Sequence, residues 1–324
     1  MRILLWHVHG SWATAFVRGG HDYLVPVVPD RGPDGRGRAL TYPWPPNAYE
    51  IPWDRLREED VDVVVLQRPH EAELAERWLG RRPGRDLPAV YVEHNTPVGA
   101  VPHTRHHLAD RTDVTLVHVT HFNDLFWDSG RAPTRVIEHG VPDPGYRYTG
   151  ALPRAGVVVN EPVRRRRVAG TDLLPAFARA VPLDVFGMKV TGLPQRLGLP
   201  VGTFEDLPQE AMHTELARRR VYLHPYRWTS LGLALIEAML LGLPVVALAG
   251  TEAVEAVPPG AGIVSTRVAA LTAALEDLVS DPARAAQTGQ AARAAALTRY
   301  GLARFLSDWD LLLHEVLAHR ELSR

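Results

Sequence analysis

Short, nearly uninterrupted apolar runs recur along this chain, with helix-patterned segments between them. Val61-Asp62-Val63-Val64-Val65-Leu66 is the clearest. A strand that is apolar at successive positions must be covered on both faces, as in parallel sheets flanked by helices. Alternation of this kind predicts a doubly wound α/β protein. Strands are expected at residues 2–6, 23–28, 61–67, 89–93, 114–118 and 135–138. A second set is expected at 156–159, 183–187, 221–223, 245–248 and 262–264. Helices are expected at 70–79, 121–128, 170–180, 209–218, 233–241 and 268–279. Asp281-Pro282 starts another, with the acid as N-cap and proline at the first helical position. A last helix over residues 302–317 has Trp309, Leu312, Leu313 and Val316 as its apolar side.

The two strand sets separate at residues 142–153, rich in Pro, Gly and Tyr, which read as a linker. A chain of 324 residues suits two domains, placed at 1–145 and 150–302. Residues 29–46 read as a mobile surface loop. No apolar run approaches the roughly 20 residues of a membrane span. The N-terminus reads as a strand rather than a secretory leader, so cytoplasm is the expected location. No cysteine is present, which removes disulfides, thiolate metal sites and cysteine nucleophiles. A formal net charge of −1 gives no global attraction to nucleic acid. Lys189 is the only lysine, so phosphate contacts fall to arginine or to that one residue.

Ligands of open α/β sheets bind at the carboxyl ends of strands. Polar residues gather there: His7, His9 and Gly10 after the first strand, Arg68 and His70 after the third, His94 and Asn95 after the fourth. In the second half they are Asn160, Glu161 and Arg164 to Arg167, then His224 to Arg227. Any one of these is ordinary loop chemistry, but their coincidence points to a site. His103, His106, His107, His118 and His121 match no metal-ligand spacing, so no metal site is assigned. The stretch from Ser230 to Met239 reads as a loop, a glycine at a helix start, and a helix with one acid, Glu237. A helix N-terminus favours an anion, and a carboxylate two turns in can hold sugar hydroxyls. That is the outline of a nucleotide-diphosphate site.

Leu231-Gly232-Leu233-Ala234-Leu235-Ile236-Glu237-Ala238-Met239 closely resembles the donor-binding signature of retaining glycosyltransferases of the GT-B fold, the glycogen and sucrose synthase-like family 4 enzymes. Gly20-His21-Asp22-Tyr23, Val90 to Asn95 and Arg135 to Val141 resemble further segments of that family, with the helix at residues 11–18 shortened. The resemblance implies two Rossmann-like parallel-sheet domains facing each other across a cleft, with the last helix packing back on the N-terminal one. It implies a sugar nucleotide, such as a UDP-sugar, as co-substrate, no metal cofactor, and retention of anomeric configuration.

Carried over by position, Glu237 would hold the ribose hydroxyls. Backbone N–H groups near Leu231, Gly232 and Leu233 would meet the diphosphate. Thr229, Ser230, Gly187 and His224 complete the donor side. The loop 160–170 would supply phosphate-balancing arginine from Arg164, Arg165, Arg166 and Arg167, the last two expected to act on the leaving group. His94 would sit by the transferring sugar, and His7, His9, Gly10, Arg68, His70 and Asn95 would line the acceptor pocket. The acceptor stays open between small molecule, glycan and lipid, and a homo-oligomer stays open too.

One position departs from the signature. The family carries an acid where Thr229 stands, and that acid contacts the donor sugar. Three readings follow: an unusual donor such as a deoxysugar or pentose; a substitute among Glu205, Asp206 and His224; or a catalytically silent GT-B-fold binding protein. A sugar-nucleotide 2-epimerase shares the fold, but the Leu-Gly-Leu-x-x-x-Glu-Ala-Met pattern points away from it.

Overall fold

The computed structural model describes residues 1–322. The chain divides into two compact units, Met1–Val141 with the segment from Leu302 onward, and Pro142–Gly301. The first contains a seven-stranded sheet in the order β3-β2-β1-β4-β5-β6-β7. Its strands are β1 (Arg2–Leu5), β2 (Asp22–Val27), β3 (Ala48–Pro52), β4 (Val63–Leu66), β5 (Ala89–Glu93), β6 (Thr115–His118) and β7 (Thr134–Val136). Every neighbouring pair is parallel.

Successive side chains of a strand point to opposite faces. Ile3, Leu5, Val63 and Val65 therefore enter one core, and Leu4, Trp6, Val64 and Leu66 the other. The first core is closed by α1 (Gly10–Phe16) through Trp12 and Phe16, and by α12 (Leu302–Leu322) through Phe305, Trp309, Leu312 and Leu313. Gly140 lets α12 approach: a Cβ there would stand 2.3 Å from that of Phe305. The second core is closed by α2 (Glu71–Leu79) with Leu74, Ala75, Trp78 and Leu79. A short helix, α3 (His121–Phe126), follows β6, with Thr120 Oγ1 accepting from the Asn123 N–H.

The second unit repeats the plan with six parallel strands in the order β10-β9-β8-β11-β12-β13. They are β8 (Leu152–Val158), β9 (Leu183–Gly187), β10 (Gly202–Glu205), β11 (Arg219–His224), β12 (Val245–Leu248) and β13 (Gly262–Ser265). The helices are α4 (Pro162–Arg165), α5 (Leu174–Ala180), α6 (Leu193–Leu197), α7 (Gln209–Leu216), α8 (Leu233–Leu241), α9 (Ala253–Ala256), α10 (Val268–Ser280) and α11 (Pro282–Tyr300). Asp281 caps α11, its carboxylate accepting from the Arg284 N–H at 3.0 Å.

The differences from the sequence reading have local causes. Edge strands β3 and β10 were not expected, because their mixed Ala-Tyr-Glu-Ile-Pro and Gly-Thr-Phe-Glu sequences lack an apolar run. Residues 29–46 are not wholly a surface loop: Ala39 and Trp44 are buried in the first core. The Trp44 indole N–H donates to Thr14 Oγ1 at 2.9 Å, and Arg68 reaches Pro33 and Asp34.

Trp309 carries much of the docking of α12, stacking edge-on against Trp12 and Phe16. Trp309→Ala is expected to cost about 3–5 kcal/mol. Urea unfolding checks this, and an unchanged midpoint would show that α12 does not stabilise the first unit.

Candidate active site

In each sheet the strand order reverses beside the first strand, between β1 and β4 and between β8 and β11. The crevice outside the carboxyl ends at such a switch point is where doubly wound sheets hold ligands. In the second unit the loops there are residues 159–170 after β8 and 225–232 after β11. They are stapled together. Arg227 forks onto Asp172 at 2.6 and 2.9 Å, and its N–H donates to the Val168 carbonyl. At Gly170 (φ 70°) a Cβ would fall 2.0 Å from the Pro225 carbonyl oxygen.

α8 opens directly from this staple. Gly232 is its N-cap, in extended conformation and with no side-chain cap. A helix leaves its first N–H groups without intrahelical partners. The glycine is demanded by the His224 ring, whose Cε1 would lie 2.7 Å from any Cβ at 232. Buried His224 is held neutral, its pKa pushed down to about 3 by burial, and its Nδ1 lies 3.4 Å from the Tyr222 hydroxyl. His224 thus supports the helix start from beneath. Ser230 and Leu231 are buried, while Thr229, Gly232 and Leu233 are half-buried.

Glu237 sits on α8, 7% exposed. Two residues of α7 face its carboxylate. Gln209 Nε2 donates to Oε1 at 3.0 Å, and His213 Nε2 stands 3.5 Å from Oε2. Neither partner was foreseen, because α7 meets α8 only through the fold.

The four arginines after β8 go separate ways. Arg164 pairs with Glu161, Nε to Oε2 at 2.8 Å. Arg165 lies over the Tyr226 ring, 5.2 Å from its centroid, and so bridges the two switch-point loops. Arg167 donates to Asp172 at 3.1 Å. Arg166 and Arg167 line a cavity of about 340 Å³ with Pro162, Val163, Thr171 and Leu197. Lys189 joins the cluster, its Nζ donating to Glu161 Oε1 at 2.7 Å. Arg164, then Lys189, hold the Glu161 carboxyl down at about 2. Gly187 (φ 132°) has no room for a side chain, since a Cβ would strike the Val159 carbonyl at 2.2 Å.

Two of the proposed substitutes for the missing acid are committed elsewhere. Glu205 accepts from the Thr191 N–H at 2.8 Å and from its hydroxyl. His224 is beneath the helix start. Asp206 is exposed, in the left-handed region at φ 48°.

In the first unit, His9, His94 and His139 cluster at the carboxyl ends of β1, β5 and β7. The rings of His9 and His94 are 4.0 Å apart. Burial is the largest cause that keeps all three neutral, taking His9 to about 4, His139 to about 3 and His94 well below its usual value. His94 Nε2 lies 3.2 Å from Gln67 Oε1. His7 packs on Trp44, and Gly10 faces Tyr42, which a Cβ would approach to 3.0 Å. Arg68 is anchored on buried Glu71 at 2.7 Å and His70 on Asp34 at 2.8 Å, so both are tied to neighbouring carboxylates. Asn95 is exposed, its carbonyl accepting from the Trp127 indole. His139 was not among the expected site residues, and its place beside His9 emerges from the sheet. Among the described residues no three His, Asp or Glu side chains form a metal-binding group, and no helix is long and apolar enough to cross a membrane.

These neutral histidines fix a pH dependence. Unfolded, each takes up a proton near pH 6.5, which the native state refuses until a lower pH. Their contribution is therefore complete above about pH 6.5 and is lost as pH falls through the window towards the folded values. Urea unfolding at pH 7.5 and 5.5 should show a loss of about 1 kcal/mol per such histidine. His139→Gln should reduce that loss, and a stability that rises on acidification would contradict the assignment.

Residues 198–295 match the family described as Glycosyl transferases group 1. No curated protein sequence matches the chain. Among solved structures, the sucrose-phosphate synthase tll1590 of Thermosynechococcus elongatus is similar at 17% identity, over 98% of this chain and 100% of that one, with a TM-score of 0.74. Alr3699/HepE of Anabaena, crystallised with UDP, is similar at 16% identity over 97% and 100%, TM-score 0.70. AviGT4, a glycosyltransferase involved in avilamycin A biosynthesis, is similar at 17% identity over 98% of each chain, TM-score 0.65. The chain thus has the GT-B fold, and residues 198–295 of its second unit are similar to the glycosyl transferases group 1 family.

Proposed function

We propose that this protein is a nucleotide-sugar-dependent glycosyltransferase that moves a sugar to an acceptor hydroxyl with retention of anomeric configuration. One observation carries the reading: Glu237 is the single acid of a buried helix whose uncapped N-terminus opens at the switch point of the second sheet. A nucleoside diphosphate has the matching parts, phosphates for the N–H groups of Gly232 and Leu233 and a ribose diol for the carboxylate. The group 1 match spans both features. HepE, crystallised with UDP and with UDP-glucose, supports the same donor class.

Breaking the bond from the anomeric carbon to the diphosphate builds negative charge on the leaving group. Preorganised donors and cations stabilise such charge where it develops. On this reading the helix start supplies the donors, and the loop arginines Arg164, Arg165, Arg166 and Arg167 supply the cations, so no metal is needed. Retention rests on the resemblance of the helix signature. The neutral edge of the first unit, with His94, His9 and Asn95, suits a hydroxyl-bearing acceptor, for which uncharged imidazoles donate and accept.

A second reading, a catalytically silent nucleotide-binding protein, is favoured by Thr229. Neither Glu205 nor His224 is free to replace the missing acid. Incubation with a panel of nucleotide sugars separates the two. Release of nucleoside diphosphate, undiminished by EDTA, is expected for the transferase, and binding without turnover for the silent relative. Glu237→Ala should weaken nucleoside diphosphate binding about tenfold or more, as loss of hydrogen bonds to a charged group implies. Unchanged affinity would remove Glu237 from the site.

A further inference from the structure

A buried carboxylate needs partners, and those it has decide which of its lone pairs remain for a ligand. Glu237 lies on a helix that is otherwise apolar, Leu-Ala-Leu-Ile-Glu-Ala-Met-Leu-Leu. Gln209 and His213, four residues apart on α7, therefore share one helix face. Each addresses a different oxygen: Gln209 donates to Oε1 at 3.0 Å, and His213 Nε2 faces Oε2 at 3.5 Å. His213 is 5% exposed, and its Nε2 is buried without a hydrogen-bond partner. An imidazole nitrogen 3.5 Å from a carboxylate oxygen, with no hydrogen bond yet made, is a contact that ligand binding can tighten.

We propose that Gln209 and His213 are positioning residues that fix the plane of the Glu237 carboxylate, so that its remaining lone pairs form a fork fitting a vicinal diol, making the site selective for ribonucleotides over 2′-deoxyribonucleotides. This rests on the reading that Glu237 meets the ribose. With Oε1 held by Gln209 and Oε2 faced by His213, each oxygen keeps a lone pair for one hydroxyl. A deoxyribose fills one and leaves the other buried and unmet, which carries the full desolvation penalty. Without the anchors the carboxylate can turn to satisfy a single hydroxyl, and the distinction fades. Neither anchor needs to touch the nucleotide.

The test is titration calorimetry of the full chain with the ribo and 2′-deoxyribo forms of UDP, ADP and GDP. For whichever base binds, the wild type should prefer the ribo form by about tenfold or more. Gln209→Leu and His213→Leu should each bring that ratio to within about threefold of unity. His213→Gln, whose amide nitrogen can replace the imidazole donor, should restore it. A general packing defect would weaken both sugar forms alike and leave the ratio untouched. A wild type that discriminates, with discrimination lost in Glu237→Ala but intact in both leucine variants, overturns the positioning role while leaving the ribose site standing. A wild type that binds no nucleoside diphosphate, or does not discriminate, overturns both.

Discussion

The burial of α8 constrains everything around it. Every residue from Leu235 to Leu241 is buried, including the acid. The helix is fixed at both ends by close approaches. At its start a Cβ on Gly232 would meet the His224 ring. At its end Gly242 (φ 94°) closes the helix, and its carbonyl oxygen would lie 2.0 Å from a Cβ on Gly289 of α11. A side chain at Gly232 or Gly289 would collide with the His224 ring or the Gly242 carbonyl. The N–H groups of the helix start and the Glu237 carboxylate therefore form one rigid body set on β11 and β12. A site built on a packed element rather than on a loop holds its geometry.

Around that body the backbone stores strain. Among the described residues, the positive-φ positions other than glycine are Glu161, Arg166, Lys189, Asp206 and Thr251 in the second unit, and Arg31 in the first. The five in the second unit follow β8, β9, β10 and β12, at the edge where α8 begins. Each costs about 1–3 kcal/mol and persists only where its surroundings over-determine it. The surroundings do so. Asn160 Oδ1 accepts from the Met188 N–H, the Glu161 N–H donates to the Met188 carbonyl, and the Asp206 N–H to the Gly187 carbonyl. The two units also differ in charge at corresponding edges. The second presents arginines and lysine balanced by Glu161 and Asp172, the first a set of histidines held neutral. On the proposed reading that contrast separates a phosphate-bearing donor from an uncharged acceptor.

Legibility in the sequence followed burial. Strands covered on both faces, such as β4 and β12, announce themselves because no polar residue is tolerated at successive positions. The edge strands β3 and β10 do not, since only part of each is covered. Trp44 shows the same limit. Its burial depends on Thr14 and the first core, and nothing within residues 29–46 signals it. At the site, Gly232 and Glu237 were readable because helix start, glycine and acid are local in sequence. Gln209 and His213 were not, since their meaning comes from α7 lying against α8. The sorting of Arg164 to Arg167 was equally hidden. A run of four like charges looks uniform in sequence, and only the counter-ions Glu161 and Asp172 and the face of Tyr226 distinguish its members.

Thr229 takes on a sharper meaning in this frame. The nucleotide end of the proposed site is over-determined, with a pinned helix start and an anchored carboxylate. The position next to it, where the resembled family places an acid for the sugar, has a short neutral side chain instead. Glu205 is bound to Thr191, and His224 lies under the helix, so neither brings back the charge. A hydroxyl can donate and accept one partner at a time, whereas a carboxylate can grip two hydroxyls together. A donor with a full set of sugar hydroxyls would leave one unmatched at Thr229, and a deoxysugar would not. On the proposed reading the same site would insist on hydroxyls in the ribose and tolerate their absence in the transferred sugar, because Thr229 stands where the resembled family has its first acid.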